Sequence, residues 1–131
     1  MSTQGTGTFQ VKSWDETTLI EAPGSPKLTR ASVAYGYQGA IEGEGKVEYL
    51  MVYLGDGTAK YVCMERVVGR IDDKSGSFVA QGGGTYSAAG AKVEWSVVPG
   101  SGTGDLVGLS GKCSYLAQGM QAEYKFEYGF E

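Results

Sequence analysis

The chain contains no histidine. That removes the commonest metal ligand and the usual neutral-pH proton shuttle, so mechanisms built on histidine are excluded. Cysteine is scarce. Cys63 and Cys113 stand far apart, without the dense spacing of small secreted scaffolds, and read as two buried free thiols. With no histidine, two distant cysteines and no calcium-loop spacing, no metal and no cofactor are expected. Helical periodicity is sustained nowhere, and no apolar run reaches membrane-span length. Met1 to Thr8 is polar and lacks both a basic start and an apolar stretch, so no secretory signal is visible. A cytoplasmic protein without a membrane partner is the expectation. Clustered charge is also missing. The net charge is −4, with lysines and arginines scattered, which leaves no electrostatic footprint for nucleic acid.

What is present points to one all-β domain. A chain of 131 residues supports a single well-stabilised core, so residues 1–131 are read as one domain with the first few residues flexible. Glycine is abundant, and short runs rich in Val, Tyr, Phe and Thr alternate with turn signals. Strands are expected near Gly7 to Trp14, Thr29 to Ile41, Lys46 to Leu54, Ala59 to Arg70, Ser77 to Gly84, Ala91 to Val98, Gly111 to Ala117 and Ala122 to Phe130. About eight such strands suffice to close a small antiparallel β-barrel. In the last of them Tyr124, Phe126, Tyr128 and Phe130 point one way and Glu123, Lys125 and Glu127 the other. Lys46 to Leu54 is apolar on both faces, which calls for cover from a flanking segment or another subunit; a homo-oligomer is the economical explanation. Val98 to Gly111 reads as a wrapped loop carrying one helical turn. Its Gly-x-Gly spacing is a weak phosphate-binding signal, because no long helix follows to present its amino terminus.

Strand register suggests where chemistry could sit. Leu54-Gly55-Asp56-Gly57-Thr58-Ala59 is a hairpin signal, with Asp56-Gly57 suited to a two-residue turn. Pairing outward sets Val52 opposite Tyr61, Leu50 opposite Cys63 and Glu48 opposite Glu65. A preceding turn near Gly43-Glu44 or Glu44-Gly45 adds Tyr35, Tyr37 and Ile41 to that face. If the face lines the lumen, desolvation and mutual repulsion raise a carboxyl pKa, and Glu65 and Glu48 form an acid and base set without histidine. The competing arrangement puts Glu48 and Glu65 on the outer wall, one paired with a lysine or arginine, or slips the register by a bulge. Tyr35, Tyr37, Tyr61, Tyr115, Tyr124 and Trp95 read as core packing or as ligand contacts. Leu50, Val52 and Cys63 complete the candidate lining. Trp14, followed by Asp15 and Glu16, either rims a barrel mouth or caps a strand.

Several segments resemble the bacterial DUF3224 family. They are Gly5-Thr6-Gly7-Thr8-Phe9-Gln10-Val11-Lys12-Ser13-Trp14-Asp15-Glu16, Pro26-Lys27-Leu28-Thr29-Arg30-Ala31-Ser32-Val33, Ile41-Glu42-Gly43-Glu44-Gly45, Glu65-Arg66-Val67, Ser75-Gly76-Ser77-Phe78-Val79 and Trp95 through Leu106. That family is grouped with allene oxide cyclase and dirigent-like barrels, whose late glycine-rich loop is similar to Gly102-Thr103-Gly104-Asp105-Leu106-Val107-Gly108. The resemblance implies an allene oxide cyclase-like eight-stranded barrel, trimeric in relatives. It transfers no reaction, since one fold hosts many functions. Where the family pattern carries histidine after the glutamine of the fifth strand, this chain has Gly82 after Gln81. Relatives that are enzymes isomerise or cyclise a reactive intermediate in the lumen. The leading expectation is therefore a cofactor-independent isomerase or cyclase acting on a small hydrophobic molecule. The alternatives are a noncatalytic barrel that holds such a molecule and a structural or interaction subunit using the apolar middle strands.

Overall fold

The computed structural model describes residues 2–119 and 121–130. Nine strands follow in order: β1 (Thr3–Ile20), β2 (Lys27–Gly39), β3 (Ile41–Tyr53), β4 (Ala59–Ile71), β5 (Lys74–Ser87), β6 (Gly90–Val97), β7 (Thr103–Gly104), β8 (Leu109–Ala117) and β9 (Gln121–Phe130). Hydrogen bonds run β4-β3-β2-β1-β9-β8-β6-β5, and a β4–β5 ladder closes the ring. The result is an eight-stranded antiparallel barrel in which no long edge is left unpaired. The two-residue β7 lies outside the ring, paired with Gly76 and Ser77 of β5. No helix occurs among the described residues, so the helical turn expected between Val98 and Gly111 is replaced by β7 and two successive turns.

All eight expected strands are present, and three boundaries moved for identifiable reasons. At the amino terminus, Thr3 to Thr8 is already paired with β9; Met1 lies outside the described residues. β1 also runs on to Ile20, because a bulge between Val11 and Ser13 lets it stay on β2. The extra residue changes parity, so that Phe9 and Val11 on one side of the bulge, and Trp14 and Glu16 on the other, oppose inward residues of β2.

The β2–β3 turn falls at Gly39 and Ala40, not at Gly43 to Gly45. Gly39 has φ +100°, and the Ala40 N–H donates to the Thr6 carbonyl at 3.0 Å. Gly43 and Gly45 are strand residues that lack a side chain because another group occupies its place. A Cβ at Gly43 would lie 2.2 Å from the Val68 carbonyl oxygen.

The β3–β4 hairpin has a three-residue loop, not a two-residue one. Leu54 N–H donates to Thr58 O at 2.9 Å, Gly57 takes φ +88°, and Asp56 Oδ1 accepts from the Thr58 N–H at 3.0 Å. The Asp56 side chain stabilises this wider turn, and it slips the ladder by one residue to Tyr53 opposite Ala59. Every side chain of the expected strand from Lys46 onward consequently faces opposite to the expectation, whereas Ile41 is buried as expected.

Inside, the wall carries Phe9, Tyr35, Tyr37, Tyr49, Tyr61, Phe78, Trp95, Tyr115, Tyr124 and Phe126, all buried. Neighbouring rings meet at centroid distances such as 4.5 Å for Phe9 and Tyr115 and 5.6 Å for Trp95 and Phe126, which is ordinary edge and tilted aromatic packing. At one end Leu106, carried by the loop after β6, is buried and belongs to the same core cluster as Ile41, Ile71, Phe78 and Leu109. The loop is tied down where Ser101 Oγ donates to Val98 O at 2.7 Å and Thr103 Oγ1 meets Ser77 Oγ at 2.6 Å. The opposite end carries Trp14, 44% exposed and stacked on Tyr49 with ring centroids 6.0 Å apart. Glu16 anchors this rim by accepting from Trp14 Nε1 at 3.0 Å, Thr29 Oγ1 at 2.7 Å and Tyr53 Oη at 2.5 Å. Burial pushes its carboxyl up, but the three donors and the Lys27 charge outweigh that and leave the pKa below the ordinary value.

Candidate functional site

Glu65 is the charged residue the barrel encloses. It projects inward from β4 and is 2% exposed, the one Asp, Glu, Lys or Arg side chain in the buried class among the described residues. Its strand explains its orientation: Lys60, Arg66 and Arg70 occupy even positions and are exposed, while Tyr61, Cys63, Glu65 and Val67 occupy odd positions and are buried. Tyr37 of β2 donates its hydroxyl to Glu65 Oε2. The carboxyl reaches that partner by lying over Gly45 of β3, where an added Cβ would sit 2.0 Å from Oε2. Burial raises the Glu65 pKa to about 7, with the Tyr37 hydrogen bond pulling the other way.

A second set of hydroxyls surrounds this pair. Tyr35 Oη and Tyr49 Oη are 2.6 Å apart, and Phe9 packs edge-on against Tyr35 and Tyr115. Burial, before all other causes, pushes the Tyr35 phenol up to about 12 and holds Tyr49 and Tyr115 above their ordinary value, so these hydroxyls stay protonated at neutral pH. Burial and then the Glu65 charge push the Cys63 thiol up to about 11, and Cys113 shifts the same way. Both thiols are free, buried and un-ionised at pH 7, hence weak nucleophiles.

The interior gathers Tyr35, Tyr37, Tyr61, Cys63, Glu65, Trp95, Tyr115 and Tyr124 of the residues expected to line it. Three others lie elsewhere. Glu48 faces Met64, not Glu65, and stands on the outer wall, where Arg30 Nε donates to its Oε1 at 2.7 Å. Hydrogen bonds from Ser32 and Arg30 keep its carboxyl below the ordinary range, the reverse of the raised value expected for a paired lumen acid. Leu50, 53% exposed, faces Val62 across the outer wall, and Val52 faces Lys60. The one-residue slip at the Asp56 turn moved all three together.

A signal for this placement was present. Glu42, Glu44, Lys46 and Glu48 are charged at consecutive even positions, as expected of an outward face. The same slip brings Tyr49, Met51 and Gly45 inside, where they were not expected. Two lining tyrosines are committed to backbone. Tyr124 Oη accepts the Ile41 N–H at 2.8 Å and donates to Gln38 O at 2.9 Å. Tyr61 Oη donates to Lys92 O at 3.1 Å. Among the described residues, no three His, Cys, Asp or Glu side chains come together closely enough to hold a metal ion.

The fold and this enclosed acid define a small closed β-barrel with one buried carboxyl in an aromatic interior. The chain belongs to the DUF3224 family, described as "Protein of unknown function (DUF3224)", which matches residues 5–128. A crystal structure of a DUF3224 protein of unknown function from Shewanella oneidensis MR-1 is similar throughout, with 30% sequence identity, a TM-score of 0.81 and coverage of 100% of this chain and 99% of that one. No curated protein matches this sequence.

Proposed function

We propose that the barrel takes a small, largely apolar molecule into its interior and isomerises or cyclises it by proton transfer through Glu65, held in place by Tyr37. The observation that carries this reading is the Glu65 carboxyl itself, enclosed and bonded to one phenol, with a pKa near 7. At that value both the base and the acid form are populated at neutral pH, as a group that takes a proton at one carbon and returns it at another requires. The proposed route in is the end that carries the exposed Trp14, because Leu106 is buried at the other.

Small β,γ-unsaturated ketones incubated with the protein in D2O provide the test, with proton exchange and double-bond migration followed by NMR. The wild type is expected to exchange at least one member of such a panel, and Glu65→Gln to slow that exchange by roughly 10²- to 10⁴-fold. Equal rates in the two proteins would remove Glu65 from the reaction. A noncatalytic holder of apolar molecules is the second reading, favoured by the ring-lined interior, because aromatic walls alone bind such ligands. It expects the panel to bind equally to both proteins and exchange in neither.

Copies of the chain associate in this proposal through the outer wall of β3 and β4, where Leu50, Val62 and Met64 are 53%, 60% and 52% exposed side by side. Light scattering at micromolar concentration is expected to give a multiple of 13.8 kDa, three-fold by the family resemblance. A monodisperse monomer would remove the association.

A further inference from the structure

Trp95 is 2% exposed, and its Nε1 is the buried side-chain nitrogen left without a hydrogen-bond partner among the described residues. Buried indole N–H groups ordinarily find an acceptor, and leaving one unpaired costs about 1–3 kcal/mol. The surroundings explain why none is at hand. Trp95 packs against Phe78 and Phe126 at 6.0 and 5.6 Å between ring centroids, and its flanking partners in the ladders are Gly82 and Cys113. Other interior hydroxyls are engaged, Tyr35 with Tyr49 and Tyr37 with Glu65.

The placement of this donor bears on the proposed site. On β5, Ala80 separates Glu65 of β4 from Val97 of β6, and Gly82 separates Cys63 from Trp95. Glu65 and Trp95 therefore flank a lane of the inner wall formed by Ala80 and Gly82, in which the Glu94 carbonyl oxygen and the Trp95 backbone take the place of a Gly82 Cβ. Glu65 leans away from the lane, over Gly45.

We propose that the indole N–H of Trp95 is the docking donor of the interior site and selects a small, neutral, carbonyl-bearing molecule. The chemistry narrows the class. An N–H that only donates requires an acceptor on the ligand. An anionic acceptor is disfavoured beside the ionised Glu65 in a desolvated interior, and an ammonium offers no lone pair. A neutral carbonyl oxygen on an apolar frame meets both conditions, and Trp95 is then a specificity-determining residue. This inference rests on the reading of the interior as the binding site.

Two probes of nearly the same shape test it, cyclohexanone and methylenecyclohexane, added to 15N-labelled protein. The ketone is expected to move the Trp95 indole N–H resonance downfield and the hydrocarbon to leave it in place. Trp95→Phe keeps the packing, checked by far-UV circular dichroism, and removes the donor. It is expected to weaken ketone binding up to about 10-fold, the range of one neutral hydrogen bond, with hydrocarbon binding unchanged. An indole resonance already downfield and unmoved by the ketone would mean that an interior water satisfies the N–H, and the inference would fall. So would equal weakening of both probes. Binding of neither probe would overturn this inference together with the interior site, whereas loss of the Glu65-dependent exchange alone would leave carbonyl docking standing.

Discussion

Relative to Glu65→Gln, the wild-type barrel is expected to lose about 3 kcal/mol of stability between pH 4 and pH 8. The folded-state pKa of Glu65 is raised from 4.5 to about 7 by burial. Between those values the native state binds more protons at this site than the unfolded chain, so stability falls as pH rises through the window and levels off above it. At roughly 1.4 kcal/mol per unit, the separation of the two pKa values corresponds to about 3 kcal/mol. Glutamine keeps the shape and does not titrate. Its amide leaves one donor to be satisfied, a cost that does not depend on pH, so the informative quantity is the change in the difference between the two proteins. Urea midpoints with matched m-values at several pH values measure it. Parallel pH profiles for the two proteins would show that Glu65 is not desolvated in solution.

Gly45→Ala is expected to destabilise the barrel by about 2–3 kcal/mol and to move the Glu65 midpoint above 7. The new Cβ would lie 2.0 Å from Glu65 Oε2 and 2.8 Å from Tyr37 Cε2. Overpacking of this kind typically costs about 1–3 kcal/mol. The carboxylate must shift to make room, which weakens its bond to Tyr37, and the tyrosine ring packs between Phe9 and Tyr124, with centroids at 6.0 and 5.8 Å. Because the Tyr37 bond is what lowers the Glu65 pKa against burial, weakening it raises the pKa further. Urea denaturation and carboxyl chemical shifts across pH 4 to 9 report the two effects. A loss under about 0.5 kcal/mol with an unmoved midpoint would mean that the pair does not depend on the space Gly45 leaves.

Where the sequence reading succeeded, it relied on properties of single strands. Tyr124, Phe126 and Tyr128 alternate with Glu123 and Lys125 in β9 and are buried as that alternation requires. For Glu65 the sequence reading left lumen and outer wall open; in the structure the other charges of its strand share the opposite parity and Glu65 is inward. Reading failed where two strands had to be aligned. Gly43 and Gly45 look like turn residues, but their missing side chains make room for the Val68 carbonyl and the Glu65 carboxylate, groups that only the fold brings near. Both ladders of β3 are offset from the expected register by an odd number of residues. The two errors cancelled for Tyr35, Tyr37 and Glu65, which do share a face, and left β3 alone inverted, carrying Glu48, Leu50 and Val52 outward.

The sequence by itself determined an all-β chain of eight ring-forming strands, the absence of histidine chemistry, and a single carboxylate on the apolar side of β4. These follow from residue type and the two-residue period of a strand, which each segment expresses without its neighbours. Tertiary structure alone decided which group meets that carboxylate. Tyr37 stands 28 residues away and reaches Glu65 across β3, because the Asp56 turn sets the register and Gly45 clears the space between. Closure of β1 on β9 and the seating of Leu106 at one end likewise depend on the whole ring. Register and closure are relations between segments, set by turn geometry and by how many residues each strand must span, and no single segment carries them.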